Sequence, residues 1–341
     1  MRKLLMPFSF FYWIGVTFRN WFFDIKIFRT MYVRVPVVSV GNISTGGSGK
    51  TPFVEMLIRR FSESRKVAVV SRGYKRKSSG QVVVSDGTGI RAQAEHAGDE
   101  PSQIAQKFPG IIVIADTLRV RGAQKAIDLG AEVILLDDGF QHRSLGRISN
   151  IAVATAEELL KGDLLLPAGN RREPLASLRR ADLIAISGCA GKEEFERAQA
   201  VIAGFRKPVV GLQINVRALR DAATGKEIER RSVVQKKAVL FSGIGNPKSF
   251  ERTVQELGVV ILDYKVFPDH HWYNEHDVHA IMENPAGRRV DLFMTTEKDF
   301  MRLRGHSGMF SAINLPVLIV EIEQRILFGN EIIDSLMQRI G

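Results

Sequence analysis

Between residues 35 and 188 the sequence repeats short apolar runs: 35–42 (VPVVSVGN), 66–73 (KVAVVSRG), 111–116 (IIVIAD), 132–139 (EVILLDDG), 150–156 (NIAVATA) and 182–188 (DLIAISG). They are rich in Val and Ile and mostly continuous rather than alternating, so a strand made from one is apolar on both faces. That is the pattern of parallel strands covered on both sides. Helical segments separate some of them, including 51–64 (TPFVEMLIRRFSES) and 117–130 (TLRVRGAQKAIDLG), the second closed by a glycine stop. Strand–helix alternation implies right-handed crossovers and an open α/β sheet, with ligands at the carboxyl ends of the strands. The polar stretch 215–237 breaks the rhythm. It sets an expected division into a core domain over 35–224 and a smaller α/β domain over 225–341, whose last helix packs back on the core.

The first 34 residues belong to neither. Phe8, Phe10, Phe11, Tyr12, Trp13, Phe18, Trp21, Phe22, Phe23 and Phe28 crowd into them, punctuated by Arg2, Lys3, Arg19, Lys26, Arg29 and Arg34, with Asp24 the one acid. The uncharged stretch from Leu4 to Phe18 contains Pro7 and falls short of the ~20 residues a spanning helix needs. No small-residue cleavage site follows it, as a signal peptide requires. Trp21, Ile25, Phe28 and Tyr32 share one face at helical spacing, which predicts a helix lying in a membrane interface with cations toward anionic lipid. The alternative is a helix pair packed on the protein's own core. The net charge of +11 suits a polyanionic partner, whether nucleic acid, membrane or phosphorylated substrate. A single cysteine, Cys189, excludes a disulfide framework and a four-cysteine metal site, and fits a reducing compartment.

Residues 44–51, Ser44, Thr45, Gly46, Gly47, Ser48, Gly49, Lys50 and Thr51, follow the first apolar run and precede a helical segment. Gly49, Lys50 and Thr51 fit the phosphate-loop pattern G-x-x-x-x-G-K-[ST], with Ser44 where the opening glycine belongs. Such a loop turns backbone N–H groups and a helix N-terminus toward phosphate, adds a lysine for the outer phosphates and a hydroxyl for Mg²⁺. It also needs a carboxylate at the end of a neighbouring strand, which Asp137 and Asp138 of VILLDDGFQH supply. Asp99 and Glu100 of AGDEP precede a helix, where Asp99 is either a cap or a chemical group. GNRREPLASLRRAD reads as a phosphate or headgroup site or as a solvated basic turn. FPDHHWYNEHDVH gathers four histidines without the spacing of a zinc site. Its NEHDVHAIM is a helix start capped by Asn274, which leaves His270 a candidate partner for a catalytic carboxylate.

Together these stretches resemble the tetraacyldisaccharide 4′-kinase family, the lipid A 4′-kinases of Gram-negative bacteria. PVVSVGNISTGGSGKTP (36–52), SRGYKR (71–76), GDEP (98–101), LDDGFQH (136–142), RREPLASLRRAD (171–182), FSGIGNPKSF (241–250), FPDHH (267–271) and TTEKD (295–299) look like its blocks, in its order. The resemblance extends from about residue 4 to about residue 323. It implies a P-loop NTPase-like core, a smaller domain joined by a hinge and a membrane-associated N-terminal helix. It implies transfer of the γ-phosphate of MgATP to the 4′-hydroxyl of tetraacyldisaccharide 1-phosphate, giving lipid IVA. The expected setting is the cytoplasmic face of the inner membrane, with a monomer on anionic lipid and no nucleic-acid partner. Residue by residue it implies Lys50 and Thr51 at phosphate and Mg²⁺, Asp137 and Glu173 around the metal, Asp99 as general base and His270 as its partner. Asp138 is assigned with the catalytic groups, and Arg72, Glu100, Arg119, Gln141 and Arg172 with the substrate. The sequence departs from the family where Thr117 and Leu118 follow Asp116, which leaves Arg119 and Arg121 both open as the basic residue there.

Three rivals stand beside this reading. A switch ATPase with a deviant phosphate loop matches TGGSGKT, but its signature lysine would stand at Thr45. A GTPase fails because Lys298 is directly followed by Asp299 in TTEKD. A nonenzymatic membrane or nucleic-acid binder explains the charge but not the loop with its carboxylates.

Overall fold

The apolar runs fold as strands in a computed structural model that describes residues 2–74, 76–283, 289–303 and 315–340. Lys75 of the SRGYKR block and the side chains of Arg2 and Lys3 lie outside the described residues. The chain forms two compact units, Met1–Ile214 with Gln324–Gly341, and Asn215–Glu323.

In the first unit, β1 (Val37–Gly41), β2 (Val67–Ser71), β3 (Val82–Asp86), β4 (Ile112–Ala115), β5 (Val133–Asp137), β6 (Ser149–Thr155), β7 (Leu183–Ser187) and β8 (from Val209) lie in the order β8-β7-β6-β1-β5-β2-β4-β3. Every pair is parallel except β3 with β4, an antiparallel edge whose strand is not a continuous buried apolar run. Alternate residues serve opposite faces, which is why continuous apolar text was needed. Val38, Val40, Val67, Val69, Val133 and Leu135 pack under α2 (Lys50–Ser62), while Val37, Ala68, Val70, Ile134 and Leu136 pack under Ala123, Ala126 and Ile127. Ile333, Leu336 and Ile340 of the C-terminal helix (Asn330–Ile340) join the first of these clusters.

In the second unit, β10 (Lys237–Ser242), β11 (Val260–Val266), β12 (Leu292–Thr296) and β13 (from Val317) are parallel in the order β11-β10-β12-β13. The division falls at 214/215 instead of 224/225. The polar stretch that set the expected division begins as the second half of β8, which runs to Asp221 and pairs antiparallel with β9 (Glu227–Ile228). Arg217 and Arg220 both bind Glu321 of β13, at 2.6 and 2.7 Å, so the charges of that stretch hold strands together.

Before β1 stands α1 (Met6–Asp24), with no buried residue along its length. Its polar side chains face the protein. Ser9 Oγ donates to Leu165 O (2.8 Å), Tyr12 Oη to Arg172 O (3.0 Å), and Asn20 Nδ2 to Glu173 Oε2 (2.9 Å). Many of its apolar side chains face out, with Phe8 63%, Phe11 69% and Phe18 52% exposed, while Ile14, Val16, Phe22 and Phe23 are half-buried. The helix therefore adds no fully buried residue to the core. It stops at Asp24, and Lys26 turns left-handed (φ 63°). Ile25, Phe28 and Tyr32 consequently lie beyond the helix, and the predicted face running from Trp21 to Tyr32 does not form.

Candidate active site

The register of two strands assembles the centre. β1 pairs with β5 so that Val40 lies opposite Asp137, which puts the loop after β1 beside the Asp137–Asp138 turn. Gly41 permits the contact, because a Cβ there would lie 2.5 Å from Phe140 N. Backbone and amide bonds stitch the two turns, Gly139 N to Val40 O (2.9 Å) and Gln141 Nε2 to Asn42 O (2.8 Å).

The loop itself is braced on three sides. Ser44 Oγ donates to Glu158 Oε2 (2.9 Å), Thr45 N to Asn170 O (2.7 Å), and Ser187 Oγ to Ser48 O (2.6 Å). Gly46 and Gly49 take positive φ (102° and 79°), while Ser44 does not, so a hydroxyl residue is accommodated where the generic pattern has glycine. Thr45, Gly46 and Gly47 form an exposed crest. α2 begins at Lys50 with no side-chain cap, and the first N–H groups of an uncapped helix together with its dipole favour an anion.

Charges converge below that crest. Lys50 Nζ binds Asn42 Oδ1 (3.0 Å) and Asp138 Oδ1 (3.1 Å), and Arg172 Nη1 binds Asp138 Oδ2 (2.8 Å). Burial alone would raise the Asp138 carboxyl, but Lys50 and Arg172 outweigh it and hold the group well below the usual carboxylate range. Asp138 has φ 51°, unusual for a residue with a side chain. Arg119 is 1% exposed, and burial lowers it to about 10 against the pull of Asp137 and Asp138. His142 is driven to about 4 by burial and by the nearby charge of Arg119, so the ring stays neutral. Asp137 and Thr51 are both buried.

Asp99 opens the helix Asp99–Lys107 and is 5% exposed, with Oδ1 accepting from Glu100 N (3.0 Å). The helix cap is Gly98, so Asp99 is not the N-cap. Gly98 and Gly73, both with positive φ, pack so closely that a Cβ on Gly98 would lie 3.0 Å from Gly73 Cα. That contact sets the GDEP block against the SRGYKR block. Arg72, exposed at the end of β2, lies within electrostatic reach of Arg119 and His142.

In the second unit the blocks FSGIG, FPDHH and TTEKD meet. Arg302, 2% exposed, donates to Gly243 O (2.8 Å) and to His270 Nδ1 (3.2 Å). A guanidinium cannot accept, so Nδ1 is the acceptor in this pair. Asp299 anchors the group, accepting from Gly243 N (2.8 Å) and Tyr273 Oη (3.0 Å).

A family model described as tetraacyldisaccharide-1-P 4′-kinase matches residues 1–340. The chain belongs to this family. A tetraacyldisaccharide 4′-kinase of Parabacteroides distasonis is 36% identical over 328 residues, covering 89% of this chain and 84% of that protein. One of Aquifex aeolicus is 34% identical, covering 95% of this chain and 96% of that one. A crystal structure from Aquifex aeolicus, described as the apo form of the family's enzyme in complex with ATP, superposes with a TM-score of 0.78 at 33% identity, covering 99% of each chain.

Within this kinase family frame, the structure separates the two arginines that the inserted Thr117 and Leu118 left open. Arg121 donates two hydrogen bonds to the Asp116 carboxylate (2.7 and 2.9 Å), whereas Arg119 donates to the Asp116 carbonyl and lies within electrostatic reach of Asp137 and Asp138. Glu173, expected around the metal, is held by protein donors. Its oxygens accept from Arg180 (2.9 and 3.1 Å) and from Asn20 of α1. Burial works against the charged form, yet Arg180 and Asn20 keep its carboxyl below its ordinary value. Gln141 spends its side-chain donor on the loop backbone. Asn42, Ser187, His142 and Arg302 escaped sequence reasoning, and only Asn42, a polar residue wedged between strand and loop, carried any local signal.

Proposed function

We infer that this chain is an ATP-dependent kinase that phosphorylates the 4′-hydroxyl of tetraacyldisaccharide 1-phosphate, a step of lipid A synthesis. The observation that carries the reading is the loop 44–51 braced beside Asp137 and Asp138, in a chain of the kinase family. The phosphates of ATP would lie over the uncapped start of α2, with Lys50 and Arg172 offsetting charge on the transferring group. A sugar hydroxyl is a poor nucleophile, and we assign Asp99 to accept its proton as the new P–O bond forms and the bond to the leaving ADP breaks. His270 is assigned as the partner of that base.

Mg²⁺ fits the donors present. Asp137 and Thr51 offer hard oxygen atoms, and this ion commonly binds one or two carboxylates plus substrate phosphates and water. Bound there, it would neutralise phosphate charge. The described residues contain no cluster of three or more His, Cys, Asp or Glu suited to an all-protein cage. We assign Glu173 to anchoring α1 through Asn20 and Arg180 rather than to metal.

No described helix is long and apolar enough to cross a membrane. We propose that the outward aromatic face of α1 seats the enzyme, as a monomer, on the cytoplasmic face of the inner membrane, where its lipid substrate resides. The test is transfer of labelled γ-phosphate from MgATP to the tetraacyldisaccharide acceptor by purified protein. ATP turnover that ignores the acceptor would refute the reading. In the same assay Asp99→Ala should lower kcat by roughly 10²–10⁴-fold while ATP binding persists.

A further inference from the structure

The phosphate loop has a second wall, opposite the catalytic charges. Lys50, Asp138 and Arg172 gather on the side where β5 lies against β1, and β6 and then β7 lie on the other. At the end of β7, Ser187 bonds to Ser48 O, and behind it stands Gln324, in the part of β13 (Val317–Phe328) that belongs to the first unit. The fit is close. A Cβ on Gly49 would lie 2.4 Å from Gln324 Nε2 and 3.3 Å from Ser187 Oγ.

Gln324 is 5% exposed, and neither Nε2 nor Oε1 has a hydrogen-bond partner among the described residues. Burying both a donor and an acceptor unused is costly, and such groups normally find partners. A strand position in this setting would be filled more stably by an apolar side chain of similar size.

On the ATP reading of the loop, a transferring end at Lys50 and Arg172 leaves the β7 side, where Gln324 stands, for the nucleoside end. We propose that the Gln324 amide is a positioning contact for the nucleoside end of ATP, pairing its donor and acceptor with the base or ribose. This rests on the ATP reading of the loop.

The experiment measures binding of ATP, ADP and inorganic tripolyphosphate to the full-length protein and to Gln324→Leu and Gln324→Met, by calorimetry, with melting temperatures of the unliganded proteins. ATP binding by the wild type establishes the loop reading first, and its absence would sink that reading rather than this one. Both variants should bind ATP and ADP about tenfold more weakly, keep their tripolyphosphate affinity, and melt unliganded no lower than the wild type. In turnover the KM for ATP should rise while kcat and the KM for the lipid acceptor hold. Unchanged ATP affinity, or an equal loss for tripolyphosphate, would overturn the proposal. So would a lower unliganded melting temperature in both variants, since the amide would then be part of the scaffold.

Discussion

Gly41 and His142 show how single residues hold this centre together. Neither is a group that phosphoryl transfer would lead one to pick. Gly41 admits the backbone of Phe140, and a methyl group there would have to displace main chain rather than a flexible side-chain end. Gly41→Ala should therefore cost about 1–3 kcal/mol of stability, as overpacked sites do, and should shift the Asp137–Asp138 turn away from the loop. Denaturant unfolding and kcat for lipid phosphorylation should both fall. A variant with wild-type stability and activity would mean the close approach is not needed. His142 makes a prediction about pH. Its folded pKa, about 4, lies below the ordinary value of 6.5, so the unfolded chain takes up a proton that the folded one refuses as pH drops through this window. Its contribution is nil well above pH 6.5 and grows more destabilising down to about pH 4. His142→Asn should flatten the loss of stability between those pH values by on the order of 2 kcal/mol, read from urea midpoints across the range.

Elements were legible in the sequence where burial left a local mark. β1, β2 and β4 to β7 announced themselves because both faces are covered, whereas β3, half exposed at an edge, left no such mark. The loop was legible because its glycines sit at positions that backbone geometry fixes. Asn42, Ser187 and Arg302 were not, because their roles depend on residues up to 139 positions away, as in the Ser187–Ser48 bond. For α1, aromatic density and apolar spacing predict a helix, which forms, but continued periodicity past Asp24 hides the left-handed turn at Lys26. The inverted layout of α1, polar toward protein and apolar toward solvent, makes a clean prediction. Phe8→Glu with Phe11→Glu touches exposed positions, so stability should stay within about ±0.5 kcal/mol. Losing two large apolar side chains, each contributing roughly 1.5–3 kcal/mol when buried, should weaken partition into lipid vesicles by ~100-fold or more. Co-sedimentation with vesicles that survives the double change would remove α1 from the membrane.

At the scale of the whole molecule two forces act on the same surface, and salt separates them. The net charge is +11, and six basic residues against one acid fall within the first 34 positions, interleaved with the aromatics. Attraction of exposed cations to anionic lipid, ~1 kcal/mol for each near the surface, decays over a Debye length of about 10 Å at 0.1 M salt and about 3 Å at 1 M. Burial of Phe and Trp side chains does not depend on salt in this way. Binding to vesicles rich in anionic lipid should therefore exceed binding to zwitterionic vesicles at low salt, and the difference should largely vanish at about 1 M. A residual, salt-insensitive binding to both should remain, and Phe8→Glu with Phe11→Glu should erase that residue. If high salt released the wild type completely, charge alone would hold the protein on the membrane, and the exposed aromatics of α1 would need a different occupant. If the two lipid types bound equally at low salt, the clustered cations would have to be facing something other than the bilayer.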